Sequence, residues 1–230
     1  MAMLSDGGWK GEPCWLVGGG PSLASLDWSL LRNVGHVVAV NMSYKDLPDA
    51  EVCFTEDVRF VELVKDREDW RNFKGVKLVN VLAESDATRF LFHSPDLTLL
   101  RPPPSEHAKR WSTTLADGLS QGTNSMVGAL NLADIMGADP IYLLGVDCDP
   151  GERFTANYHD CYEKLGAQFG WHYQSFINDF EKWCAPHLTS RCVMNLNAKS
   201  HVSCWPKATL SYNEELRAIL GRPAEMPQVW

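Results

Sequence analysis

The stretch "CWLVGGGPSLASLDWSLL", Cys14 to Leu31, constrains the fold more than any other part of the sequence. Its first four residues are all apolar, so a strand formed here has no face suited to water and has to be covered on both sides. It then runs into three glycines, a proline and a serine. Glycines at a strand end let the backbone approach a partner closely and present its amides, as phosphate-binding loops do. They also punctuate ordinary tight turns. The loop by itself leaves both readings open.

Similar apolar runs recur: "HVVAV" (His36–Val40), "VCF" (Val52–Phe54), "VKLVN" (Val76–Asn80), "IYLLGV" (Ile141–Val146) and "CVMNL" (Cys192–Leu196). They alternate with helical patterns. That combination predicts an α/β fold, doubly wound and Rossmann-like, with a mainly parallel sheet between helices. In "SMVGALNLADIMGA", Met126, Leu130, Ala133 and Met136 fall on one apolar helix face, with Thr123 or Asn124 as cap and Gly137 as the stop. A second helix is expected from Tyr173 to Cys184, with Phe176, Phe180 and Trp183 on one face, and a third from Tyr212 to Leu220. A chain of 230 residues, 45% apolar, can bury the core of a single domain over 1–230.

No apolar run approaches the roughly 20 residues that cross a bilayer, and the start lacks a signal-peptide pattern. No membrane association and a cytoplasmic location are therefore expected. The seven cysteines show no Cys-x-x-Cys pair, and Cys14, Cys53 and Cys192 read as small buried hydrophobes. A net charge of −8 argues against a surface that binds nucleic acid throughout. The one basic cluster, "HAKRW" (His107–Trp111), lies within a long aperiodic segment, Arg101 to Gln121. A lid or acceptor-binding loop is expected there, with Lys109, Arg110 and Trp111 as its contact to any DNA acceptor.

Four features fall at the ends of the expected strands, where open α/β sheets bind ligands. The first is the loop Gly18-Gly19-Gly20-Pro21-Ser22, which has neither the full dinucleotide pattern nor a Walker lysine. The second is Asn41, whose amide suits a base or ribose edge and equally suits a turn. Thr55, Glu56 and Asp57 form the third, with a polar helix start as the plain alternative. The fourth joins Thr123, Asn124 and Ser125 at a helix N-terminus, an anion site, to Asp147 and Asp149, whose Asp-x-Asp spacing suits a Mg²⁺ bridging phosphates or simply a soluble loop. His159 and His172 are the acid/base candidates.

In fixed order, "GGGPSL", "VAVNMSY", "GTNSMVGALNLADIMGA" and "IYLLGVDCD" resemble the superfamily that joins the bacterial sialyltransferases of glycosyltransferase family 42, a GT-A-like fold, with the DUF115 proteins. DUF115 includes archaeal 6-hydroxymethylpterin diphosphokinases, flagellin-modification proteins and phage proteins, and the short chain is similar in form to the phage members. The resemblance implies a nucleotide-sugar donor of the CMP-sugar type, held by Gly18, Gly20, Ser22, Asn41, Thr123 and Asn124. It also implies direct displacement at the anomeric carbon, with His172, just before a late helix, as base on the acceptor. The acceptor is open between a glycan, a small molecule and a modified DNA base, and a homo-oligomer is possible. Two residues depart from the family pattern: Gly19 where an Asn usually stands between the glycines, and Glu56 where another Asn follows the third strand. The second departure keeps alive a Mg²⁺-dependent pyrophosphoryl transfer, and both motivate a non-catalytic nucleotide-binding module.

Overall fold

The computed structural model describes residues 4–81, 88–101, 110–149 and 173–221. Its frame is one seven-stranded sheet in the order β5-β4-β3-β2-β1-β6-β7. The strands are β1 (Cys14–Val17), β2 (His36–Val40), β3 (Val52–Thr55), β4 (Val76–Asn80), β5 (Leu97–Leu100), β6 (Ile141–Leu144) and β7 (Val193–Asn195). Every pairing between them is parallel. The chain builds outward from β1 through β2 to β5, then returns to the other side of β1 with β6 and β7. That reversal makes the β1/β6 junction the switch point at which this class of sheet opens a crevice.

The continuous apolar runs become strands because each residue has a hydrophobic layer to enter. Along β1, Cys14 and Leu16 point into one layer, and Trp15 and Val17 into the other. None of the four is more than 1% exposed. The first layer is formed by α3 (Ser125–Ile135) and by α4 (Tyr173–Asp179), which continues through a π-helical turn (Phe180–Cys184) into the single turn α5 (Ala185–His187). On the opposite face lie α1 (Val58–Val64), α2 (Glu68–Asn72), α6 (Tyr212–Ile219) and the short helical turns after β1 and β2.

The expected runs match the strands to within a few residues. β5 is the additional one, an edge strand whose residues are only half-buried and so lack the continuous apolar signature. Three expectations are corrected. Helix α3 is not amphipathic: every residue from Ser125 to Ile135 except Asp134 is buried, polar Asn131 included. Its cap is Asn124, whose Oδ1 accepts from Met126 N–H at 3.0 Å, and it stops at Gly137 with φ +81°. Cys192 is exposed, whereas Cys14 and Cys53 are buried as expected.

The third correction concerns Trp111, expected as a contact residue of the lid or acceptor loop over 101–121. Residues 102–109, including Lys109, lie outside the described residues; beyond them Trp111, Ser112 and residues 118–120 are buried. Trp111 is 8% exposed, donates Nε1–H to Asp134 Oδ2 at 2.9 Å and stacks on His187 with ring centroids 5.1 Å apart. Asn131 of α3 holds both ends of this strut, accepting from Ser120 N–H at 2.8 Å and donating to Ser112 C=O at 2.9 Å. Replacing Asn131 by Ala strands two buried backbone groups, each costing about 1–3 kcal/mol. We therefore expect Asn131→Ala to lower the stability measured by urea unfolding by about 2–4 kcal/mol; a loss below about 0.5 kcal/mol would show that the strut is not held there.

Candidate active site

The carboxyl ends of the central strands surround a cavity of about 380 Å³. Gly18, Gly19, Gly20 and Pro21 line it from the β1 end, Asn41 from β2, Glu56 from β3, Thr123, Asn124 and Ser125 from the start of α3, and Asp147 and Asp149 from beyond β6. Residues up to 131 positions apart in the sequence, Gly18 and Asp149, thus meet where four separate motifs predicted a common site.

The glycine loop is held by its own protein. Gly18 N–H donates to Leu144 C=O at 2.8 Å and Gly20 N–H to Gly145 C=O at 2.9 Å. A Cβ on Gly18 would lie 2.8 Å from Gly145 O, and one on Gly20 would lie 2.5 Å from the Asp147 carboxyl. These glycines are required by close packing against the β6 loop. Ser22 does not line the cavity: its N–H and hydroxyl both donate to Asp147, at 2.8 and 2.5 Å. Gly19 remains the loop residue whose N–H has no partner among the described residues, and it faces the cavity.

Asp147 consequently has a structural task. Besides the two bonds from Ser22 it accepts from Asn197 Nδ2 at 2.7 Å, so both carboxylate oxygens are engaged. Asp149 sits 3.6 Å from His201 Nε2. No group of three or more His, Cys, Asp or Glu side chains with metal-holding geometry forms among the described residues. Of the expected Mg²⁺ pair, Asp147 is thus engaged by Ser22 and Asn197, and Asp149 lies beside His201.

Asn41 and Asn124 are different. Asn41 occupies the left-handed region, φ +56°, which asparagine tolerates better than most residues, and its Oδ1 is buried with no hydrogen-bond partner among the described residues. The side-chain oxygen of Asn124 is spent on the helix cap, and its Nδ2 is likewise buried and unpartnered. Both residues line the cavity, each with one buried side-chain atom unused among the described residues. Thr123 is occupied: its N–H and Oγ1–H both donate to Asp179 Oδ2, at 2.6 and 2.7 Å. Thr55 is buried, and its hydroxyl accepts from Asp57 N–H at 2.9 Å, organising the start of α1 outside the cavity lining.

Glu56 projects under the first turns of α3. Asn80, at the end of β4, donates Nδ2–H to its Oε1 at 3.2 Å, and Gly122 N–H bonds it as well. Gly128 makes the room, since a Cβ there would fall inside contact distance of Oε1 and 2.6 Å from the Phe54 ring. Burial pushes the Glu56 carboxyl well above the usual carboxylate range, against the opposing effect of the Asn80 and Gly122 hydrogen bonds; the charge of Asp179 raises it further.

Sequence reasoning missed the aromatic wall of Tyr173, Phe176 and Phe180, the clamp residue Asp179, and Asn197 and Tyr212 behind the glycine loop. The aromatic spacing had signalled a helix face but not what it faced. His159 and His172 lie outside the described residues. His172 directly precedes Tyr173, a residue of the cavity wall.

No protein-family model matches the sequence, and no curated protein matches it. Solved structures do match its fold. The sialyltransferase CstII from Campylobacter jejuni, in complex with the substrate analogue CMP-3FNeuAc, is 16% identical, with TM-score 0.52, covering 92% of this chain and 100% of that one. CstII in complex with trisaccharide acceptor and CMP is 18% identical, with TM-score 0.51 and 88% of each chain covered. The MAf glycosyltransferase from Magnetospirillum magneticum AMB-1 is 13% identical, with TM-score 0.56; 95% of this chain covers 38% of that one. At these identities the likeness establishes the fold.

Two measurements test the Glu56 pocket. A carboxyl with a raised folded-state pKa keeps a proton that the unfolded chain releases, so its contribution to stability is complete below the unfolded value of about 4.3 and is lost as pH rises through the folded value. Glu56→Gln removes that loss, so its Tm relative to the parent should climb as pH rises above about 4; a difference independent of pH would contradict the assignment. Gly128→Ala should destabilise by about 1–3 kcal/mol in urea unfolding, even though Ala is the better helix former by about 1 kcal/mol. A neutral or stabilised variant would show that Glu56 is not confined.

Proposed function

We propose that this protein is a transferase of the glycosyltransferase type, which moves a sugar from a nucleotide donor, best matched by a CMP-sugar, to an acceptor hydroxyl by direct displacement. The observation that carries the reading is a cavity at the switch point of a parallel sheet whose lining residues Asn41 and Asn124 each hold a buried side-chain atom, Oδ1 and Nδ2, without a partner among the described residues. A buried polar atom without a partner costs about 1–3 kcal/mol, which a ligand of complementary donors and acceptors recovers. A nucleoside presents that pattern. Asn41 also stands at the end of β2, about 20 residues beyond the glycine loop, where doubly wound folds place the side chain that meets a ribose hydroxyl.

In the proposed reaction the acceptor oxygen forms a bond to the anomeric carbon while the bond from that carbon to the phosphate oxygen breaks, its electron pair leaving on the phosphate. The Gly19 N–H is the loop amide available to that developing charge. The acceptor proton passes to a base, which the family resemblance assigns to His172. Fold neighbours in complex with CMP or a CMP-sugar analogue support the donor class. The Mg²⁺-dependent pyrophosphoryl alternative is less well supported, because it needs an aspartate already engaged by Ser22 and Asn197.

Titration calorimetry with CMP, CTP, UDP and ATP, with and without Mg²⁺, tests the donor. CMP binding indifferent to the metal is expected. Binding of ATP alone, dependent on Mg²⁺, would favour the pyrophosphokinase, and no nucleotide binding would leave a non-catalytic module. Asn41→Ala should weaken CMP about tenfold with little change in Tm. His172→Ala should keep CMP affinity and lower turnover by about 10²-fold or more. If His159→Ala does so instead, the base lies upstream.

A further inference from the structure

The hydroxyl of Tyr212 stands where the loops after β1 and β6 part company. It accepts from Gly145 N–H at 3.0 Å and lies 2.9 Å from Ser22 Oγ. An amide N–H can only donate, so the phenolic oxygen is the acceptor in the first contact and its own proton is free for the second. The Ser22 proton is directed to Asp147 Oδ1, at 2.5 Å. The result is a one-way chain: Gly145 N–H to Tyr212, Tyr212 O–H to Ser22, Ser22 O–H to Asp147. Gly145 also accepts at its C=O from Gly20 N–H, so the same residue is tied to both sides of the fork.

Helix α6 does not need this hydroxyl to stay in place. Leu216 is fully buried, Asn213 accepts from Asp27 N–H at 2.8 Å and donates to Ser25 C=O at 3.0 Å, and Ser211 and Glu214 form a capping box. The ring would pack without the oxygen, whose burial is tolerable because it is hydrogen-bonded, and both of those bonds go to the two loops. Burial, followed by the charge of Asp147, pushes the phenol up from its usual value and keeps it in the neutral form that can donate.

We infer that Tyr212 is a positioning residue for the glycine loop, its hydroxyl holding Ser22 on Asp147 and thereby fixing where Gly19 and Gly20 face the cavity. The consequence for ligand rests on the nucleotide-donor reading above; the latch itself is testable without ligand.

Amide hydrogen exchange on the ligand-free protein should show faster exchange at Gly18–Ser22 and Gly145 in Tyr212→Phe, with α6 protected as in the parent. Ser22→Ala, which cuts the same chain from the other side, should give the same pattern and carries the test if Tyr212→Phe does not fold. With CMP as probe, each variant should bind about tenfold more weakly, and the double variant no more weakly than the weaker single one, as expected of residues acting in series. Arg217→Ala, which loosens α6 one turn further on through its contact with Asp27, should lower Tm slightly and leave CMP affinity alone. Unchanged exchange in the loop, additive losses in the double variant, or an equal affinity loss in Arg217→Ala would overturn the assignment. If the parent binds no nucleotide, the donor reading fails and the exchange data alone decide the latch.

Discussion

The two hydrogen bonds from Ser22 to Asp147 close the fork on which the cavity depends. A parallel sheet whose strand order reverses sends the loops after the two central strands away from each other, and this is what opens a crevice at all. An open fork has no reason to hold one shape. Here β1 ends in residues small enough to lie flat against the β6 loop, and a buried carboxylate fastens them. Asn197, at the end of β7, reaches the same carboxylate, so three strand ends are tied at one point.

The cavity wall opposite is organised by a second acidic side chain. Asp179 sits at the last residue of α4, where the helix widens into its π-helical turn, and holds Thr123 through both amide and hydroxyl. Such widened turns recur at functional sites because they redirect side chains that a regular helix would aim elsewhere. Two carboxylates thus fix the two rims, Asp147 the glycine loop and Asp179 the start of α3. The cavity also contains Asp57 and Arg59, which pair with each other at 3.1 Å. Gly19, Asn41 and Asn124 line it beside them.

The central strands were legible because burial on both faces writes itself as an uninterrupted apolar run, and the site motifs because they follow those runs directly. β5 was not legible, since an edge strand with half-exposed residues has neither continuity nor strict alternation. Trp111 was read with its basic neighbours as part of a loop, although its ring belongs to the core beside Asp134 and His187. A tryptophan in a charged context is ambiguous until its partners, here from α3 and α5, are known. Tyr212 gave no sign of its role: the sequence predicts a helix from Tyr212 to Leu220, and nothing local says that this helix meets a loop 190 residues earlier.

The glycines show how a correct motif can carry a different physical cause. At the sequence level they suggest a backbone opened for a phosphate, yet two of the three are small because Gly145 and Asp147 occupy the space a side chain would need. Glu56 makes the complementary point. The resembling family places an Asn after the third strand, and a charged carboxylate there would repel an anionic ligand. Glu56 is enclosed by Asn80, Gly122, Gly128 and Phe54, and burial shifts it toward its neutral form. A neutral carboxyl, like an amide, offers both a donor and an acceptor. The smallness of Gly128 makes the enclosure of Glu56 possible.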